Sequence, residues 1–137
     1  MRSFLFVPGD STRKFESAKK TAADALILDL EDSIAPDQKV VARGITREML
    51  DARNPEQKLY IRVNALDTDL TLGDLAAVMP GKPDGIVLPK CAGAADVNKL
   101  ALYLDAFEAA SGIAQGTTRI ITVATETARA VLRSEEH

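Results

Sequence analysis

Five short apolar runs punctuate the chain, and each stops at a polar or ionisable group. Phe4-Leu5-Phe6-Val7 stops at Pro8-Gly9-Asp10, Ala25-Leu26-Ile27-Leu28 at Asp29-Leu30-Glu31-Asp32, and Leu59-Tyr60-Ile61 at Arg62-Val63-Asn64. Gly85-Ile86-Val87-Leu88 stops at Pro89-Lys90, and Ile120-Ile121-Thr122-Val123-Ala124 at Thr125-Glu126. Runs of this length read as buried parallel strands, predicted over Ser3 to Val7, Ala25 to Leu30, Lys58 to Val63, Gly85 to Leu88 and Arg119 to Ala124. Helical spacing fills the gaps. A first helix runs from about Thr12 to Ala22, capped by Asp10 or Ser11, with Phe15, Ala18 and Ala22 on one face. Pro36 and Asp37 open a second, which reaches about Ala52 before Asn54-Pro55 ends it. A third spans about Leu70 to Val78, stopped by Pro80-Gly81. The fourth runs from about Ala94 to Ala110, with Val97, Leu100, Leu104 and Phe107 aligned and Gly112 as terminator. A last helix is expected to start near Thr127.

Strand and helix therefore alternate through a single domain over residues 1–137, with no linker, low-complexity tract or repeat. Short alternating units of this kind build an α/β fold around a parallel sheet. Two architectures compete. In a doubly wound open sheet five strands are complete. In a (β/α)₈ TIM barrel, which typically needs about 250 residues, five are too few. The first βα turn, Pro8-Gly9-Asp10, is not a G-x-G-x-x-G fingerprint, and no phosphate loop of the G-x-x-x-x-G-K-[ST] type occurs. In both architectures the carboxyl ends of the strands share one face, where active sites lie. Carboxylates, one arginine and one lysine from distant positions should converge there, which is an enzyme's layout.

Composition narrows the partners. The chain has 137 residues and a net charge of −3, with no basic stripe, so nucleic acid is not expected. No apolar run approaches ~18 residues, so no membrane span is expected. The single Cys91 cannot form an internal disulfide, which fits a cytoplasmic protein. Cys91 and His137 are too few for a Cys/His zinc site, so any metal would be hard and oxygen-bound.

Each candidate residue carries two readings. Asp29 and Glu31 fall on one face of the second strand's end, with Leu30 opposite, and Asp32 follows. Buried carboxylates there need a partner or a cation. They either serve chemistry or cap the next helix and pair with Lys90. Arg62, between Ile61 and Val63, needs an anion. It either grips a substrate carboxylate bidentately or forms an ion pair with Glu31 or Asp32. Asn64 either donates to a substrate oxygen or shapes the turn. Glu126 either ligates Mg²⁺ or occupies the favoured first turn of a helix capped by Thr125. Lys90 could hold an anion, tune the acidic cluster, or form a Schiff base. Nearby acids oppose the last by keeping it charged.

Taken together, Arg2-Ser3-Phe4-Leu5-Phe6-Val7-Pro8-Gly9, Ile27-Leu28-Asp29-Leu30-Glu31-Asp32-Ser33, Arg62-Val63-Asn64-Ala65-Leu66-Asp67-Thr68, Gly85-Ile86-Val87-Leu88-Pro89-Lys90 and Glu126-Thr127-Ala128 resemble the citrate lyase β-subunit family, which includes malyl-CoA and citramalyl-CoA lyases. The resemblance covers essentially the whole chain. It implies a TIM barrel of which this chain holds about the first five βα units. It also implies an Mg²⁺-dependent carbon–carbon lyase. Such an enzyme cleaves a 3-hydroxy-3-carboxyacyl thioester, carried on CoA or an acyl-carrier protein, to a 2-oxo acid and an acyl thioester. By the same resemblance Arg62 grips the substrate carboxylate, Glu126 is the first of two acidic metal ligands, and Asp29, Glu31 and Asp32 line the pocket. Arg13 and Lys14 fall near the thioester carrier's entrance. The second metal ligand is an aspartate beyond His137, and homo-oligomers are usual. A metal-dependent aldolase acting on free hydroxy-oxo acids, or a catalytically incomplete barrel fragment, are the rival expectations.

Overall fold

A computed structural model describes residues 3–123 and 128–131. Five strands, β1 (Phe4–Pro8), β2 (Ala25–Asp29), β3 (Lys58–Arg62), β4 (Gly85–Pro89) and β5 (Arg119–Val123), alternate with four helices, α1 (Thr12–Lys19), α2 (Lys39–Asp51), α3 (Thr71–Val78) and α4 (Ala94–Ser111). The expected boundaries hold to within a few residues. Ser11 is the cap that opens α1, accepting the Lys14 N–H at 3.2 Å. Thr21 closes that helix early by donating to the Ala18 carbonyl, so it stops before Ala22. A single 3₁₀ turn over Pro36–Gln38 precedes α2. Gly112, at φ 72°, ends α4 in the left-handed region that glycine adopts without penalty.

β1 through β5 lie side by side in chain order and all parallel. Alternation then sorts their side chains into two sets. Leu26, Leu28, Leu59, Ile61, Ile86, Leu88 and Ile120 pack in one core with Phe15 of α1, Met49 and Leu50 of α2, Leu75 and Val78 of α3, and Leu100 and Leu104 of α4. Ala25, Ile27, Tyr60, Val87 and Ile121 form a second cluster built from strands alone. All four helices therefore cover one face. A doubly wound sheet reverses its strand order and carries helices on both faces. This sheet does neither, so the open doubly wound alternative is excluded.

The expected final helix is corrected. Ala128–Val131 forms a strand, β6, antiparallel to β5 with Val123 opposite Ala128 and Ile120 opposite Val131. The outer edge of β5 carries unpaired peptide groups, and a nearby segment folding back satisfies them more directly than a helix could. Glu126, and the rest of residues 124–127, lie outside the described residues, as does His137. At the other side of the sheet, β1 has no second strand partner among the described residues, and its Phe4, Leu5 and Phe6 are 42%, 39% and 48% exposed. No helix among the described residues is long and apolar enough to cross a membrane.

Gly9 fixes how the end of β1 meets the end of β2. Its N–H donates to the Asp29 carbonyl at 2.8 Å, and its own carbonyl accepts from the buried Thr46 hydroxyl of α2 at 2.8 Å. A Cβ at this position would stand 2.6 Å from the Asp29 carbonyl oxygen and closer still to Thr46 Oγ1. Gly9→Ala is accordingly expected to cost about 1–3 kcal/mol by overpacking. Urea unfolding of the two proteins measures this, and an unchanged midpoint would show that the turn can relax.

Candidate active site

The strand-only face ends in charge. Phe6, Asp29 and Arg62 follow Phe4, Ile27 and Tyr60 at the two-residue period, so all three emerge on the face without helices. Asp29 sits directly opposite Pro8 of β1 and Arg62 of β3. Arg62 meets it side-on, Nε to Oδ1 at 2.8 Å and Nη2 to Oδ2 at 2.9 Å. The N–H groups of Glu31 and Ser33 donate to the same carboxylate at 2.8 and 2.9 Å, and the Ser33 hydroxyl adds a bond of 2.8 Å. Burial is the largest single influence on Asp29 and by itself would raise its pKa. The Arg62 bonds, the two backbone donors and Ser33 together outweigh it and lower the pKa from 3.8 to about 2. Arg62 is correspondingly raised above its ordinary value, first by the Asp29 hydrogen bond and despite its own burial.

Glu31 lies between two cations. Its Oε2 is 3.1 Å from Lys90 Nζ and its Oε1 is 3.6 Å from Arg62 Nε. The hydrogen bond and field of Glu31 raise the Lys90 pKa, with Asp32 and Asp67 contributing at longer range. The β4 end presents this lysine from a left-handed backbone, φ 55°, a conformation costing a non-glycine residue about 1 kcal/mol. Asp32 is exposed and makes no ion pair among the described residues. Phe6, Asp29, Asp32, Ser33 and Arg62 line a cavity of about 360 Å³. The Phe6 ring lies 4.6 Å from the Arg62 guanidinium carbon, a cation–π contact. Arg62 Nη1 makes no hydrogen bond among the described residues, so one edge of the fork remains available.

Asp29, Glu31, Asp32, Arg62 and Lys90 thus come together, and the arginine's principal partner is Asp29 rather than Glu31 or Asp32. One other expectation is corrected. Asn64 is buried and spends both amide protons internally, on Asp74 Oδ2 at 2.8 Å and on the Leu30 carbonyl at 3.0 Å. It shapes the turn and has no donor left for a substrate. Arg13 lies in a neighbouring groove with Lys14, Leu5, Phe6 and Ser17, across the β1 edge from the charge cluster. Phe6 and Ser33 join the site without a local sequence signal of their own. Each stands inside a longer motif, and the two-residue period identifies Phe6 as a neighbour of Arg62.

The acidic cluster does not by itself fit a divalent cation. Asp29 already receives five hydrogen bonds and Glu31 faces two cations. No three acidic, histidine or cysteine side chains converge as metal ligands among the described residues. The expected ligand Glu126 is outside them.

Comparison with known proteins gives a consistent set. The family model for HpcH/HpaI aldolase/citrate lyase matches residues 2–136. A (3S)-malyl-CoA thioesterase of Cereibacter sphaeroides is 42% identical over 101 residues, covering 73% of this chain and 35% of that protein. An L-malyl-CoA/beta-methylmalyl-CoA lyase of the same species is 37% identical over 115 residues, covering 81% of this chain and 36% of the relative. Among solved structures, the CitE protein of Mycobacterium tuberculosis in complex with magnesium, acetoacetate and coenzyme A matches with a TM-score of 0.66 at 33% identity. That match covers 87% of this chain and 38% of that one. The chain therefore spans little more than a third of the length of the relatives it matches.

The Asp29 shift has a measurable sign. The carboxylate is stabilised in the folded state, so its contribution is complete above about pH 4 and is lost as pH falls through about 2. Its size is on the order of 2 kcal/mol. Urea unfolding between pH 4 and 2 is expected to show a flatter pH dependence for Asp29→Asn than for the unsubstituted protein. Equal slopes would contradict the pairing.

Proposed function

The chain belongs to the HpcH/HpaI aldolase/citrate lyase family, and we propose that its protein is a carbon–carbon lyase acting on a malyl- or citryl-type CoA thioester. The one observation that carries this reading is the half-engaged arginine. Asp29 holds the Nε–Nη2 edge of Arg62 while Arg62 still lines the cavity. A guanidinium fixed at one edge and open at the other is preorganised to take a carboxylate.

The lyase and thioesterase relatives act, by their names, on malyl-CoA. In the reaction read here, the bond between the hydroxyl-bearing carbon and the carbon next to the thioester breaks. Its electron pair passes to the thioester enolate, which then takes a proton. The hydroxyl-bearing carbon becomes the carbonyl of a 2-oxo acid as its hydroxyl gives up its proton to a base, so one proton is lost there and one gained at the enolate carbon. Arg62 binds and orients the carboxylate beside that carbon, so the scissile bond is held in one geometry. Lys90, kept cationic by Glu31, adds positive potential at the same strand-end face. Mg²⁺ dependence belongs to this reading, supported by the magnesium in the solved relative, with Glu126 as the ligand. The described acidic cluster positions Arg62 and Lys90 instead. A closed (β/α)₈ barrel of which this chain builds the first strands also belongs to it. Two observations support that: the sequential strand order with helices on one face, and the small share of the relatives' length that is matched.

Hydrolysis of the thioester is the second reading, favoured by the higher identity to the thioesterase. Incubation of the protein with malyl-CoA and Mg²⁺ separates the two. Glyoxylate and acetyl-CoA are expected for the lyase, malate and free CoA for the thioesterase, and no turnover of CoA esters would overturn both. Arg62→Lys keeps the charge and loses the fork, and is expected to lower kcat/KM at least tenfold, or ~1.4 kcal/mol of transition-state binding.

A charged Lys90 also argues against Schiff-base aldol chemistry. Borohydride reduction in the presence of pyruvate is expected to leave the protein's intact mass unchanged, and an added mass from reduced pyruvate at Lys90 would revive the Schiff-base reading of that lysine.

A further inference from the structure

Asp74 of α3 is fully buried and lies behind the charge cluster. Its Oδ1 accepts from Arg43 Nε at 2.9 Å. Its Oδ2 accepts from both the backbone N–H of Asn64, at 2.9 Å, and the Asn64 side-chain amide, at 2.8 Å. The second amide proton of Asn64 goes to the Leu30 carbonyl, at 3.0 Å. The Leu30 N–H in turn donates to the Arg62 carbonyl at 2.9 Å.

These bonds interrupt a regular pattern. In a parallel ladder a residue donates to one neighbour on the facing strand and accepts from the residue two positions further on. Leu30 donates to Arg62, so the backbone N–H of Asn64 is the donor its carbonyl should receive. Asp74 has captured that N–H. The side-chain amide of Asn64 takes its place on Leu30. The ladder between β2 and β3 stops here, yet the Leu30 carbonyl and the Asn64 N–H each keep a partner. The substitution falls between the two residues whose side chains matter most. Leu30 separates Asp29 from Glu31, and Asn64 is two positions beyond Arg62. Thr71 steadies the same turn by donating to the Asn64 and Ala65 carbonyls at 3.0 and 2.8 Å. Lys39 holds the Leu30 carbonyl from the other side at 3.2 Å.

We propose that Asp74 and Asn64 are positioning residues, a side-chain bridge that replaces the last rung of the β2–β3 ladder and so fixes Arg62 against Asp29 for carboxylate binding. The geometric part stands on the bonds above; the catalytic part rests on the proposed function. Asn64→Ala cuts the bridge to Leu30 while keeping the backbone bond to Asp74 and the Arg43–Asp74 pair. Asp74→Asn weakens both ends of the bridge. Leu104→Ala, in the core beneath α4, serves as a destabilised control.

The primary readout is hydrogen exchange of the Arg62 Nε–H by NMR in the whole protein, which reports the Asp29 bond without reference to activity. Exchange is expected to accelerate at least tenfold in Asn64→Ala, and not in Leu104→Ala at a matched loss of melting temperature. In the malyl-CoA assay kcat/KM is expected to fall at least tenfold in Asn64→Ala alone. Wild-type exchange rates in Asn64→Ala, or equal acceleration in Leu104→Ala, would overturn the proposal. If Asp74→Asn does not fold, Asn64→Ala decides. If the unsubstituted protein turns over no CoA ester, the proposed function fails, and exchange still decides whether the bridge positions Arg62.

Discussion

A carboxylate and a guanidinium occupy the same rung of a parallel sheet, and most of the site follows from that adjacency. Asp29 and Arg62 are register partners on β2 and β3. Burying such a pair is costly unless the remaining hydrogen-bonding capacity of both groups is used. Asp29 uses it, drawing the Glu31 and Ser33 N–H groups onto the oxygens that already face Arg62. The loop after β2 therefore wraps around the carboxylate, and that wrapping aims Glu31 at Lys90. Register and charge reinforce each other. A slip of one residue would send Asp29 and Arg62 into the helix-facing core and Leu28 and Ile61 out of it, so the apolar pattern of two strands and one ion pair demand the same alignment.

From that rung outward the charges alternate: Asp29, Arg62, Glu31, Lys90. Each is held by its neighbour of opposite sign, and together they come from the carboxyl ends of β2, β3 and β4. The arrangement fixes Arg62 closely, while the more exposed Lys90 is tethered through Glu31. The anions keep both charged, and the open edge of Arg62 is what remains for a ligand. Metal binding by the same carboxylates would compete with this work. For the proposed function, this leaves metal ligation to an acid outside the cluster.

The strands and the main helices were legible because each leaves a local signature: a short apolar run, a cap, a proline or a glycine. The convergence of Asp29, Glu31, Arg62 and Lys90 was legible too, since parallel strands put their carboxyl ends on one face. Features that depend on partners distant in sequence were not. The doubly wound alternative could be removed only by strand order, which no local pattern encodes. Asp74 reads in sequence as one more acid in the first turn of a helix, and its role appears only when Asn64 is seen to hand it a backbone proton. Ala128–Val131 has the composition of a helix, and only the open edge of β5 makes a strand of it. Asn64 offers in sequence either a substrate donor or a turn former, and its two internally spent amide protons decide for the turn.

A lyase and a thioesterase working on one malyl-type ester need the same grip on its carboxylate and differ in which bond is exposed to attack. Under the proposed function, Arg62, Asp29 and the bridge behind them would supply that grip for either reaction. Under the same function, these residues would set which carboxylate is recognised. Choice between breaking the carbon–carbon bond and hydrolysing the thioester falls to groups placed around the hydroxyl and the thioester carbonyl. A strand-end face suits that division. On this reading the early strands would hold the carboxylate end of the substrate, while loops elsewhere on the face could vary the chemistry at the other end.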